Sequence, residues 1–390
     1  MAKSIPALIT PEVLTWARNL DGYSVQEVAT KLRVTQDKIT EWENGESYPT
    51  LLQAKKLAQV FHIPFVYFYL PDTPKKVKRI QQTDYRTFGN IGDRFFMSHE
   101  LSWLLRDVED RRETMLALYE TEQRQPKSFP IILSAETIDT DIAYSIRNLL
   151  CLSFDKQLTF RKPEVALNYC IKVLEKNDVL VFQAAGIHPK EMRGFSMAYE
   201  QMPIIVLNRK DEPSARLFTL RHALAHVVTR TSGICNNISL ESKGLGQWEI
   251  RCNRIAGSVL VPKEHFEQHS VVQEINNKGF DDEKVAAIAR DYAVSREVIL
   301  HCLLDCNIIT KEFYFQTLKK YEAEYLAHKK ANTDGFLPPA LNVGTQVGKL
   351  YAQTMLTAFN DDHISARDAS NYLLNLRVSN FRKLEGWCFR

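Results

Sequence analysis

Apolar positions recur at helical spacing along most of the chain, and polar breaks interrupt them often enough to predict many short helices. From Pro11 to Leu70 the pattern gives about five helices. Within it, Ser24 through Gly45 has the spacing of a helix-turn-helix: Ala29 is small where two helices cross, Val34, Ile39 and Trp42 supply the apolar contacts, Thr35 stands at an N-cap, and Gly45 can end the second helix. Residues 81–130 keep a helical pattern through Leu101, Leu105, Val108, Met115 and Tyr119. Residues 161–183 read as a helix, a turn at Asn177-Asp178, and the strand Val179–Phe182. Val285 to Ser295 repeats the spacing of Ala29 to Thr35, with Ile299 in the place of Ile39, which suggests a second helix-turn-helix-like pair or simply two packed helices. From Asp334 onward a loop precedes two predicted helices, the second capped by Ser365 with Asp368 in its first turn.

The chemistry concentrates on one of these helices. In the run from Arg216 to His226, residues Leu217, Phe218, Leu220, Leu224 and Val227 give a broad apolar flank, as expected of a helix anchored in a core. His222 and His226 are four apart, so they share a face and can offer two imidazoles to one ion. This is the zinc-protease pattern His-Glu-x-x-His with Ala223 where a glutamate would take a proton from water. Spacing alone is weak, because His265 and His269 repeat it in a polar setting after Pro262 that suits a surface helix start. His301 beside Cys302 and Cys306 is also helically spaced, although apolar helical thiols are usually core residues. A zinc site needs a third protein ligand. Glu249 is the candidate, on a helical run whose apolar stripe is Trp248, Cys252, Ile255 and Val259, with Asn253 on the same face as Glu249. The competing reading is an exposed glutamate beside Arg251 and Arg254.

Taken together, these residues resemble the ImmA/IrrE-type metallo-endopeptidases, in which a zincin helix is followed by a helix carrying Glu-x-x-x-Asn and ending near a proline. The resemblance takes Gly194-Phe195-Ser196 and Pro203 to Asn208 as paired strands before the zinc helix. It implies zinc as cofactor, His222, His226 and Glu249 as ligands, and position 223 as the general base, a role that Ala223 cannot fill. It also implies a single regulatory protein as substrate, held extended by edge pairing on strand 203–208. Asp84-Tyr85-Arg86 resembles a motif found after the helix-turn-helix in fused members of that family.

The N-terminal segment resembles the Xre or lambda-repressor type of helix-turn-helix over about sixty residues, with Trp42-Glu43-Asn44-Gly45 as its helix ending. That resemblance points to operator DNA as partner, with Gln26, Thr35, Gln36, Lys38 and Thr40 toward the major groove. Charge tempers it: residues 1–74 hold seven Lys or Arg against eight Asp or Glu, a net of −1. Lys75, Lys76, Lys78 and Arg79 partly offset the deficit and are candidates to grip phosphates.

With 390 residues, 45% of them hydrophobic and 25% charged, the chain can bury ~2 to 3 cores. The fold class expected is α+β, mainly α: an all-α helix-turn-helix domain over 1–74, a basic linker and helical connector over 75–130, a zincin-like peptidase domain with a small sheet over 131–270, a helix-turn-helix-like region over 271–330 and a helical tail over 331–390, packed on the core or used for self-association. Seven cysteines without framework spacing argue for reduced thiols. No leader and no apolar run long enough for a bilayer are read, so a cytoplasmic protein without a membrane partner is expected. Three functional readings follow: an enzyme whose general base has been replaced, a natural pseudopeptidase that binds a partner encoded nearby and serves as an antitoxin, or a DNA-binding repressor, as a homodimer, whose metal site is structural. The settings implied are stress response, mobile-element control and toxin-antitoxin systems.

Overall fold

The computed structural model describes residues 5–74, 98–134, 136–231, 233–235, 247–329 and 337–389, and among these the chain packs as two compact units, one of residues 5–74 with 98–106 and one from 107 onward. The candidates Lys75, Lys76, Lys78 and Arg79 and the Asp84-Tyr85-Arg86 motif lie outside the described residues.

The first unit is built from α1 (Pro11–Leu20), α2 (Val25–Leu32), α3 (Gln36–Glu43) and α4 (Leu51–Val60), followed by a 3₁₀ turn at Phe65–Tyr69. Local chemistry sets the boundaries. Ser24 and Glu27 form a capping box at α2, Thr35 accepts from the Lys38 amide at α3, and Thr50 with Gln53 caps α4. Between α2 and α3, Arg33 adopts a left-handed backbone with φ 60° and the Val34 amide donates to the Ala29 carbonyl at 3.0 Å. That turn lays α3 across α2, and Ala29, Ile39 and Trp42 close a core shared with Tyr23, Phe61 and Phe68. The first turns of α5 (His99–Thr121) complete the unit: Asp21 accepts from Ser102 Oγ at 2.6 Å and Trp103 Nε1 at 2.8 Å, and pairs with Arg106 at 2.5 Å.

In the second unit, α6 (Asp139–Leu149), α7 (Phe154–Leu158) and α8 (Pro163–Glu175) precede a sheet of β1 (Leu180–Ala184), β2 (Gly194–Met197), β3 (Ile204–Asn208) and, after α9 (Pro213–Val228), β4 (Gly233–Cys235). The strand order is β1-β3-β2-β4, with β1 parallel to β3 and both other pairings antiparallel. The expected pair of strands before the histidine helix is β2–β3. Edge pairing of a substrate on residues 203–208 does not hold, however: β3 is interior, its backbone already engaged by β1 and β2, and the outer strands are β1 and β4.

Helix α9 is buried on all sides from Leu217 to Val228, packed against the sheet, α6, α8 and α10 (Gln247–Leu260). Burial of Leu217, Phe218, Leu220, Leu224 and Val227 contributes on the order of 1.5–3 kcal/mol each. The approach to the sheet depends on Gly194, where a Cβ would stand 2.5 Å from Thr219 Cγ2 and 2.6 Å from the Val206 carbonyl.

Five helices follow: α11 (Lys263–Gln268), α12 (Ser270–Lys278), α13 (Asp282–Tyr292), α14 (Arg296–Asp305) and α15 (Lys311–Lys329). The tail then forms four helices, α16 (Pro339–Val347), α17 (Lys349–Asn360), α18 (Ala366–Tyr372) and α19 (Phe381–Cys388), where two were expected. Gly348, at φ 78°, splits the first run, and left-handed Leu374 and Asn375 split the second. The Ser365–Asp368 capping box at α18 is as expected. Helix α16 packs on strand β1, and at Gly348 a Cβ would come within 2.6 Å of the Val181 carbonyl.

Candidate metal centre

Two elements converge on the site. Helix α9 carries His222 and His226 one turn apart, and α10 lies along it with Glu249 facing both. The two Nε2 atoms are 3.1 Å apart, and Glu249 stands 3.1 Å from His222 Nε2 and 3.2 Å from His226 Nε2. All three residues are buried, Glu249 at 5% exposure, which rules out the reading of an exposed glutamate among arginines. Arg251 and Arg254 are drawn instead to Asp139 at the start of α6, at 2.5 and 2.7 Å, and Arg251 also donates to the Thr137 carbonyl. At the other end of α10, Arg147 donates to the Val259 carbonyl and Gln157 to the Leu260 carbonyl. These bonds hold α10 in the register that aims Glu249 at α9.

The far side of each imidazole is held by a polar partner. Asn253, one turn after Glu249, places Oδ1 2.8 Å from His222 Nδ1, and a carbonyl oxygen can only accept, so Nδ1 donates there and Nε2 is the nitrogen turned to Glu249. His226 Nδ1 meets Thr231 Oγ1 at 2.9 Å, a hydroxyl that also receives Trp248 Nε1 at 3.0 Å. Burial holds His226 below its ordinary pKa and so neutral. Burial alone would push the Glu249 carboxyl up, but the two imidazoles facing it hold it at about 2. Two imidazole nitrogens and an ionised carboxylate therefore crowd one buried point, and Glu249 Oε1 has no well-aligned hydrogen bond there. Such a donor set repels itself unless a cation joins it. Tetrahedral zinc ligands at ~2.0–2.1 Å from the ion stand roughly 3.3–3.4 Å from one another, close to the separations found.

Ala223 follows His222 on α9 and is wholly enclosed by the apolar core. Its methyl group carries no acid or base. The partners Thr231 and Trp248 Nε1 were missed by the sequence reading, which used Trp248 only as an apolar contact; Asn253 could be placed beside Glu249 but its bond to His222 could not.

The other histidine and cysteine groups do not converge. His265 stacks on Phe154 with ring centres 3.4 Å apart, and His269 lies 3.6 Å from Asp291 and caps α12. His301 Nδ1 pairs with Asp305 at 3.0 Å, and burial pushes the Cys302 thiol up. Among the described residues, the group of three or more metal-ligating side chains is His222, His226 and Glu249.

In the first unit, Gln26, Thr35, Gln36 and Thr40 are exposed along α2 and α3. Thr35 serves as the N-cap of α3, and Lys38 is half-buried and paired with Glu41 at 2.5 Å, a single contact that leaves further N–H donors of that ammonium for a phosphate or base.

The fold and this site define a zincin-like domain behind a helix-turn-helix. Residues 175–304 match the family described as IrrE N-terminal-like domain, and residues 14–68 match the helix-turn-helix family. In that order, the chain carries an Xre-type helix-turn-helix and an ImmA/IrrE-type domain. No curated protein gives a significant match to it. Among the described residues, no helix is long and apolar enough to cross a membrane.

Proposed function

We propose that the chain is a cytoplasmic DNA-binding regulator whose zincin-like domain holds one zinc ion on His222, His226 and Glu249 and engages one regulatory protein without cutting it. The observation that carries this is the convergence of two imidazoles, each held from its far side, and an ionised carboxylate on one buried point, next to an alanine where a base would stand. When bound, zinc would act as a Lewis acid toward a peptide carbonyl. Asn253 and Thr231 orient the two rings, Glu249 supplies the negative charge, and Ala223 leaves the step that needs a proton acceptor without one. The absence of an acid or base at position 223 supports a pseudopeptidase that works by binding, as an antitoxin or repressor does.

The partner would be encoded beside this gene, in a stress, mobile-element or toxin-antitoxin system. The exposed face of α3 reads operator DNA through Gln36, Lys38 and Thr40, with Lys75, Lys76, Lys78 and Arg79 on phosphates. A palindromic operator takes two such domains, hence at least a dimer.

Elemental analysis of metal-replete protein should find about one zinc per chain, and His222→Ala should abolish it. Less than about a tenth of an equivalent after dialysis overturns the metal site. Zinc-loaded Ala223→Glu should cleave the cognate partner ~10²-fold faster than the present chain. Cleavage by the present chain at the rate of that variant would overturn the assignment of position 223.

A further inference from the structure

A concave site whose lining includes none of the metal-site residues lies in the second unit. A cavity of about 390 Å³ opens between the end of α8, the segment at 124–127, the start of α17 and the end of α19. Five cations line it: Arg124, Lys127, Lys172, Lys176 and Lys349. A helix C-terminus accounts for Lys172 and Lys176, which end α8. It does not account for the other three, which the fold brings in from two other segments.

Each of these side chains is anchored or exposed, and among the described residues none has a carboxylate within ion-pair distance. Arg124 stacks over Tyr119 at 4.2 Å, Lys127 donates to the Lys176 carbonyl at 2.6 Å, and Lys349 sits over Trp387 at 5.0 Å. Two acids in the lining, Glu175 and Asp178, are turned into the protein. Asp178 accepts the Lys127 amide at 2.9 Å. Glu175 accepts the Leu350 amide at 3.2 Å and so does for α17 what Gly348, without a side chain, cannot do as its N-cap. Burial pushes the Glu175 carboxyl up to about 7, so part of its charge is absent near neutrality. With both acids ionised the lining carries a net charge of +3. The rim is apolar at one end, where Leu350 and the exposed ring of Phe389 stand.

Like charges gathered around a hollow raise its potential and favour an anion of matching charge. The volume falls in the range of small-molecule sites, and a ring beside a cationic floor suits a base joined to phosphates. We propose that this cleft binds a nucleotide-sized phosphorylated ligand, its phosphates on Lys172, Lys176 and Lys349 and its ring against Phe389. Because the cleft joins α8, which packs on α9, to α17 of the tail, its occupancy would tie the tail to the histidine helix.

Titration calorimetry of the full chain with ATP, inorganic pyrophosphate and a short single-stranded oligonucleotide tests this. ATP should bind one per chain, and Lys172→Ala with Lys349→Ala should weaken it at least tenfold. Phe389→Ala should weaken ATP at least threefold and leave pyrophosphate unchanged. Should the double variant lose its native melt, Lys172→Glu, at an exposed position, should weaken ATP at least fivefold. Undetectable ATP binding at millimolar concentration, or binding that both lysine variants leave unchanged, overturns the site. Equal affinity for pyrophosphate overturns the nucleotide assignment, and tighter binding of the oligonucleotide through the same lysines would make the cleft a nucleic-acid groove instead.

Discussion

The turns α2–α3 and α13–α14 are nearly the same object placed in two settings. Ala29 and Ala289 stand at the crossing, Arg33 and Ala293 take left-handed backbones at φ 60° and 55°, and Val34 and Val294 donate to the two alanine carbonyls at 3.0 and 2.9 Å. Thr35 and Ser295 cap the second helices, and Ile39 and Ile299 are buried. The outer faces differ. Where α3 exposes Gln36 and Thr40, α14 has Arg296, paired with Glu324 at 2.6 Å and stacked on Tyr321 of α15, and Leu300, fully buried. A helix-turn-helix backbone is thus a way of packing two helices, and only the instance whose second helix is left uncovered can read a surface.

Four measurements would break or sharpen this contrast. Leu300→Ala should destabilise the second unit by about 2–5 kcal/mol, whereas Thr40→Ala at the matching position should change stability by less than about 0.5 kcal/mol, both followed by chemical denaturation. Equal effects would mean that α14 is not covered as described. The second unit also holds the buried Glu175, raised from 4.5 to about 7. A carboxyl raised on folding favours the folded state while protonated, so this stabilisation is complete below about pH 4.5 and is lost as pH rises through about 7, in all roughly 3 kcal/mol. Protection factors of amides in α8 and α17, with base-catalysed intrinsic exchange divided out, should fall over that window, and Glu175→Gln should flatten the response. In gel shifts, Gln36→Ala with Thr40→Ala should weaken operator binding by about 1–3 kcal/mol, while Glu297→Ala on α14 should leave it unchanged. The smallest effect is shared: Thr35→Ala and Ser295→Ala should each cost about 1 kcal/mol of stability, because both hydroxyls accept the same kind of amide.

What the sequence made legible was whatever is written in neighbouring residues. The caps at Thr35 and Ser365, the turn at Ala29–Val34 with its echo at Ala289–Val294, and the shared face of His222 and His226 all follow from spacing of five residues or fewer. Glu249 needed the histidine helix beside it to be preferred over an exposed glutamate, because its rival partners Arg251 and Arg254 are adjacent in sequence while the residue that claims them, Asp139, is more than a hundred positions away. Thr231 carried no signal, since a threonine after a helix has many ordinary uses. The interior position of β3 was equally invisible: a run of four apolar residues reads the same with one neighbour strand or two. Gly348 and the left-handed Leu374 and Asn375 break helices through backbone angles that apolar periodicity does not encode.

The covering of β1 by the tail has a consequence for how the chain is made. Leu180 to Ala184 is a fully buried, mostly apolar strand at the end of its sheet, and its cover, α16, begins at Pro339. Between them lie about 155 residues, which a ribosome takes roughly 8 to 30 seconds to add. Throughout that interval an adhesive edge stands open, and a message broken before codon 339 would leave it open permanently. Nascent chains should therefore be held by chaperones in that window, and products truncated before Pro339 should accumulate as aggregate rather than as a shortened working protein.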